Sequence, residues 1–148
     1  MTVRPLAPAE FGRWLPLRRA LWPDCADAMH DVESVRYIAE DAVVLLAEAD
    51  GDPIGFAEVT ERDRVEGSLE DRVAYLEGWY VVPDWQGHGV GRTLVEAAEG
   101  WARARGLREI ASDAELDNAG SIAAHGALGF RETFRVVQFL KRLDPPGG

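Results

Sequence analysis

Cysteine is almost missing: Cys25 stands alone in 148 residues. One thiol excludes an internal disulfide framework and any zinc site built on cysteine pairs. Cys25 is read as a small packed apolar residue, because no histidine is patterned with it to make a nucleophile. His30, His88 and His125 are too scattered to suggest a metal site, and His30 and His88 are read as surface or loop residues. Long apolar runs are missing too. No stretch reaches membrane-spanning length, and Met1-Thr2-Val3-Arg4-Pro5 lacks the apolar core of a secretion signal. A cytoplasmic protein that leaves membranes alone is expected. Positive charge is in deficit, with 16 Lys and Arg against 26 Asp and Glu and a net charge of −10. That balance repels nucleic acid and suits a cationic small molecule. No internal repeat is found.

The most informative absence is local. Gln86-Gly87-His88-Gly89-Val90-Gly91 follows the apolar run Val73 to Pro83 and opens a helical run, Val90 to Arg105. The first N–H groups of a helix lack internal partners and sit at the positive end of its dipole. A Ser, Thr, Asp or Asn normally caps them, and none stands at 86–91. Three glycines leave the backbone bare, so an anion can approach closely. Three phosphate-binding patterns compete here. A P-loop needs Gly-Lys-Ser/Thr, and Gly91-Arg92-Thr93 lacks the lysine. A dinucleotide fingerprint needs a third glycine where Arg92 stands, although Asp113 lies at a suitable distance for a ribose contact. The third pattern, Q/R-x-x-G-x-G/A, is matched by Gln86, Gly89 and Gly91.

The length fits one domain able to bury roughly 70% of its unfolded surface. We expect that domain at residues 1–143, with a flexible tail at 144–148. Val3 to Leu6 reads as a short strand. A helix with Phe11, Trp14, Leu15, Leu17 and Leu21 follows, interrupted at Pro16. Residues 24–30 read as an acidic loop, and Asp31 to Glu40 as a second helix with Val32, Val35 and Ile38 on its apolar side. Strands are expected at Ala42 to Ala49 and Pro53 to Thr60, joined by an Asp50-Gly51 hairpin. A polar loop follows at 61–71, then a strand at Val73 to Val82. Glu77-Gly78 interrupts that last strand, and glycine inside a strand often marks a bulge. Helix 90–105 puts Val90, Leu94, Ala97, Ala98 and Trp101 on one side and ends at Gly106. A strand at Leu107 to Asp113, a helix at Asn118 to Leu128 and a strand at Val136 to Leu140 complete the chain. Hairpin loops demand antiparallel pairing and helical crossovers permit parallel pairing. The expected fold class is therefore α/β in the α+β sense: a central mixed, mostly antiparallel sheet flanked by helices.

The glycine loop resembles the pyrophosphate loop of the GNAT family of N-acetyltransferases, and the resemblance covers nearly the whole chain. Asn118 followed by Ala127-Leu128-Gly129-Phe130 resembles a later segment of that family, and Trp79-Tyr80-Val81-Val82-Pro83 resembles its acyl-binding strand. The resemblance implies acetyl-CoA as cosubstrate and no metal. It places the acyl arm on the backbone of Trp79, Tyr80 and Val81, and the pyrophosphate on Gly87, His88, Gly89, Val90, Gly91 and Arg92, with Asn118 also on the coenzyme. Trp22-Pro23, His30, Leu76-Glu77-Gly78 and Ala111-Ser112-Asp113, with Asn118 and His125, are similar to the aminoglycoside 6′-N-acetyltransferases of that family. By that resemblance Trp22, Glu77 and Asp113 contact the aminoglycoside, acetylation confers antibiotic resistance, and a homodimer is implied. Arg64, where the subgroup has an aromatic, and Phe134, where it has an acid, are departures.

The chemistry agrees. An ammonium has no lone pair, and a primary amine near the lysine value of about 10.4 is protonated at neutral pH. A carboxylate can bind that cation and accept its proton, directly or through water. Glu77 and Asp113 are the candidates for this work. A backbone N–H near Tyr80 or Val81 would stabilise the tetrahedral oxyanion. His125 stands where many relatives carry a Tyr, and it is a candidate to protonate the leaving thiolate. The acid clusters at 24–33 and 58–71 favour a polycation, while Arg92, Arg103 and Arg105 are expected to flank the phosphate site. Acetylation of a polyamine or a protein N-terminus stays open as an alternative, as does a non-catalytic coenzyme A sensor.

Overall fold

The computed structural model describes residues 1–146. Five strands form one sheet in chain order: β1 (Thr2–Pro5), β2 (Ala42–Ala49), β3 (Asp52–Asp63), β4 (Arg72–Val81) and β5 (Ile110–Ser112). The first three pairings are antiparallel and β4–β5 is parallel. Helix α3 (Val90–Ala104) makes the crossover that a parallel pair requires. The sheet is mixed and mostly antiparallel, as the sequence suggested. A dinucleotide-binding unit, built on consecutive parallel strands, is thereby excluded.

Asp50 and Gly51 turn the β2–β3 hairpin with φ of 52° and 83°. Two left-handed residues make the turn whose twist matches the strands it joins. Strand β2 is apolar from Ala42 to Ala47 because both of its faces are covered there. Leu45 and Ala47 face Val90, Leu94, Val95 and Ala98 of α3. Ala42, Val44 and Leu46 face Phe11, Trp14 and Tyr37 from the N-terminal segments. Those segments are a 3-10 turn at Pro8–Arg13, α1 (Leu15–Leu21) and α2 (Asp27–Ser34), followed by a second 3-10 turn at Val35–Ile38. Pro16 sits in the first turn of α1, where its missing N–H costs nothing.

The structure departs from the expectation in four places. Helix α2 starts at Asp27, inside the expected loop, and Val32 on it and Val35 and Ile38 on the 3-10 turn after it are exposed rather than packed. His30, expected on the surface, is fully buried. Strand β3 runs on to Asp63 because Arg62 and Asp63 pair with Val73 and Arg72. The expected strand at 136–140 is absent: among the described residues, the chain beyond α4 (Ala119–Ala127) holds no helix or strand. Phe139 and Leu140 there are 89% and 96% exposed. Apolar, β-branched composition makes a strand only where an edge receives it. The tail expected at 144–148 falls partly outside the described residues.

Candidate active site

The β3–β4 register slips between Glu58 and Val59, which face Gly78 and Leu76 respectively. Glu77 is thus the extra residue of a β-bulge, and a bulge re-aims the side chain it releases. Glu77 turns into a cavity of about 560 Å³ that Trp22, Glu33, Glu58, Thr60 and Arg62 also line. Its side chain is 18% exposed. Thr60 Oγ1 donates to Glu77 Oε2 at 2.6 Å; Arg62 Nε donates to Oε2 at 2.7 Å and Arg62 Nη2 to Oε1 at 2.5 Å.

The floor of the cavity is a buried polar cluster. Glu58 is fully buried and accepts from Trp14 Nε1 at 3.1 Å, Arg18 Nε at 2.7 Å and Tyr37 Oη at 3.0 Å. Burial pushes the Glu58 carboxyl above the usual range, against the pull of Arg18 and its other donors. Burial and the neighbouring Glu58 charge push the Tyr37 phenol up, so it stays a donor. Arg18 also bonds Glu33 at 2.6 Å and meets His30 Nδ1 at 2.7 Å. His30 Nε2 donates to the Trp22 carbonyl at 3.2 Å, the only role a carbonyl partner allows. The Arg18 guanidinium lies 4.6 Å from the Trp22 ring centroid. From the other side Trp22 crosses Gly78 so closely that a Cβ there would stand 2.6 Å from the indole. Gly78 is glycine to admit Trp22.

Asp113 follows β5 and is exposed. Its Oδ2 accepts from Tyr75 Oη at 2.5 Å. Burial and this bond push the Tyr75 phenol up, so Tyr75 remains a donor across the physiological range. Ser112, the last residue of β5, meets His125 Nε2 at 2.8 Å. His125 Nδ1 lies 2.7 Å from the Ser121 carbonyl, one turn back on α4, and donates to it. Ser112 Oγ donates to the Leu76 carbonyl at 3.3 Å and so faces His125 Nε2 as an acceptor. Its ring packs edge-on against Trp79 and Phe130, each at 5.2 Å.

Beyond Leu76 and Ser112 the two strands part, and β4 continues alone on that side through Trp79, Tyr80 and Val81. The loop at its end is tied back to it. Gln86 Nε2 donates to the Val81 carbonyl at 3.0 Å, and Trp79 Nε1 to the Gly91 carbonyl at 3.1 Å. Gly87 and Gly89 take φ of 79° and 82°, which other residues adopt at a cost. Gly89 is the N-cap of α3, with no side-chain cap. Val90 anchors the helix start in the core, Arg92 points outward and His88 leans on Trp85 at 5.8 Å. Arg103 and Arg105 do not flank this loop. They sit at the other end of the 15-residue α3, roughly 20 Å away at 1.5 Å per residue, and Arg105 bonds Glu61 instead.

The structure brings Trp22 and Glu77 into one cavity and sets Asp113 at the neighbouring strand end, linked through Tyr75 and Arg62. Asn118 stands apart, its Oδ1 accepting from Ser121 N at 3.0 Å as the cap of α4. Sequence reasoning missed Arg18, Tyr37, Thr60 and Arg62, and it named His30 but placed it on the surface. It also counted Glu58, Glu61 and Glu33 as free acid, whereas each is paired with an arginine. Among the described residues, no group of three His, Cys, Asp or Glu could hold a metal ion. No helix there is long and apolar enough to cross a membrane.

Comparison with known proteins matches residues 10–130 to the acetyltransferase (GNAT) family. The chain is 47% identical over 145 residues to an aminoglycoside N(6′)-acetyltransferase type 1 of Stenotrophomonas maltophilia, covering 97% of this chain and 95% of that protein. Among solved structures it is similar to the aminoglycoside 6′-N-acetyltransferase AAC(6′)-IG of Acinetobacter haemolyticus, with a TM-score of 0.89 and 39% identity, covering 97% of this chain and 100% of that one. It is equally similar in fold, at 36% identity, to AAC(6′)-Iy in complex with the bisubstrate analogue CoA-S-monomethyl-acetylneamine, with a TM-score of 0.89 and coverage of 96% and 98%.

Proposed function

Because the chain belongs to the acetyltransferase (GNAT) family, we propose that it is an aminoglycoside 6′-N-acetyltransferase. It transfers acetyl from acetyl-CoA to the 6′ amine of the antibiotic and so confers resistance by drug modification. The observation that carries this reading is the path of β4. One strand leads from Glu77 in the cavity, past the unpaired edge at Trp79 to Val81, to the uncapped start of α3. Amine and thioester meet where β4 and β5 part.

The residue roles follow. The loop from Gly87 to Arg92, through its bare N–H groups, receives the pyrophosphate of coenzyme A, and His88 and Val90 hold its shape. The backbone of Trp79, Tyr80 and Val81 pairs with the acyl arm and donates to the oxyanion. Asn118 fixes α4, whose Oδ1-capped first turn lies on the coenzyme side. Trp22, Glu77 and Asp113 bind the drug. Glu77 takes the proton from the ammonium, directly or through water. The freed nitrogen attacks the thioester carbonyl, an N–C bond forms, the C–S bond breaks and the nitrogen gives its second proton to water. The thiolate takes a proton from His125 Nε2 by way of the Ser112 hydroxyl that lies against it. Two copies are expected to pair, supported by the exposed apolar side chains Phe134, Val136, Phe139 and Leu140. Light scattering at the mass of one chain would remove the pairing.

The deciding experiment is acetyl-CoA turnover with a kanamycin-type drug against an analogue lacking the 6′ amine. Turnover with the drug alone is expected. Equal turnover on both overturns the regiochemistry, and steady turnover of a polyamine with none of the drug favours the alternative substrate.

A further inference from the structure

Among the described residues, Arg62 is the one cation that bonds Glu77. It forks onto both carboxylate oxygens of Glu77. Its guanidinium carbon also stands 3.6 Å from the centroid of the Tyr75 ring, whose hydroxyl donates to Asp113. One positive charge therefore serves both candidate carboxylates, Glu77 directly and Asp113 through the aromatic ring. The residue is at the penultimate position of β3, and its side chain is 46% exposed. Arg18 is the contrast, with 5% exposure and bonds to Glu58, Glu33 and His30 from below.

We propose that Arg62 is a specificity-determining residue, an internal cation that holds the place of the substrate's ammonium on Glu77 and yields it when the amine arrives. This rests on the proposed function, since it assigns Glu77 to the amine. The exchange conserves charge. Glu77 carries a guanidinium before binding and an ammonium after, so it never stands unpaired in a half-buried site, where an unpaired charge is costly. A half-exposed ion pair is weak enough to be displaced. The released guanidinium swings to solvent at the rim. A neutral amine cannot compete for Glu77 in this way, so the exchange selects for charged amines. It also taxes every productive substrate with the loss of the Arg62–Glu77 fork.

The test is Arg62→Met, which keeps the stem and removes the charge. KM for kanamycin at saturating acetyl-CoA is expected to fall by about 2- to 5-fold, the factor of an exposed ion pair. Turnover number is expected to stay within about twofold, and KM for acetyl-CoA to stay unchanged. Arg62→Lys, which keeps the charge and loses the fork, is expected to lie between the two and guards against a misfolded Met variant. An unchanged or raised KM for the drug overturns the proposal. So does a fall in turnover number that Lys restores, because Arg62 would then be holding Glu77 in position. Calorimetric titration of kanamycin into the CoA-loaded proteins is the second readout. Wild-type protein without turnover would sink the proposed function, yet equal kanamycin affinity of wild type and Arg62→Met would still overturn the exchange on its own.

Discussion

The floor and the outer wall of one cavity hold the same pair of charges and use them differently. On the floor, Glu58 and Arg18 are both buried, and every oxygen and nitrogen that matters is bonded to a neighbour. On the wall, Glu77 and Arg62 are bound to each other as tightly in distance, but Arg62 is nearly half exposed and Glu77 sits on a bulge. Burying two charges costs several kcal/mol each, so a buried pair survives only when its geometry is complete. Such a pair is a fixed part of the scaffold. The partly solvated pair has little to lose on opening. The lesson is that distance alone does not separate a structural carboxylate from a working one; the supply of alternative partners does.

The largest expected effect breaks the floor. Arg18→Met leaves Glu58 buried and unpaired and should cost about 3–5 kcal/mol of stability at neutral pH. Glu58 is pushed up by burial, and a raised carboxyl contributes stability that is complete below its unfolded value and lost as pH rises through its native one. The deficit of Arg18→Met should therefore shrink on acidification, read from urea midpoints at pH 5 and 7.5. A deficit that grows on acidification would contradict the assignment of Glu58 as the group responsible.

Next in size is the wall. Glu77→Gln should lower turnover by about 100-fold or more, as for loss of a positioned general base. Coenzyme A affinity and the urea midpoint should stay within error, because the Gln amide oxygen still accepts from Thr60. If Glu77→Gln unfolds the protein and Arg18→Met only slows it, the contrast between floor and wall is reversed. The smallest effect sharpens the wall further. Tyr75→Phe removes the donor to Asp113 and should cost about 1 kcal/mol in kcat/KM for the drug, the net worth of one hydrogen bond. No change in kcat/KM would take Asp113 out of drug binding.

What could be read from the sequence was what is contiguous. Asp50-Gly51 announced its turn, and Gln86 to Gly91 announced an uncapped helix start, because each depends on the φ values and donors of neighbouring residues. Glu77-Gly78 announced the bulge for the same reason. The acidic stretch 58–71 misled, since its charge was visible while its partners Arg18, Arg72 and Arg105 lie up to 44 residues away. His30 misled likewise: a lone histidine between Met29 and Asp31 gives no hint of the arginine that buries it. The strand expected at 136–140 had the composition and lacked the edge.

The sequence by itself determined the order of strands and helices as far as α4, the side-chain-free loop and the net negative charge, because periodicity, glycine and charge are local or additive. Tertiary structure alone decided which acids are neutralised and which face a substrate. That choice depends on desolvation and on partners brought together from distant segments by the packing of α1 and α2 against β3 and β4, and no window of the chain contains both halves of such a pair.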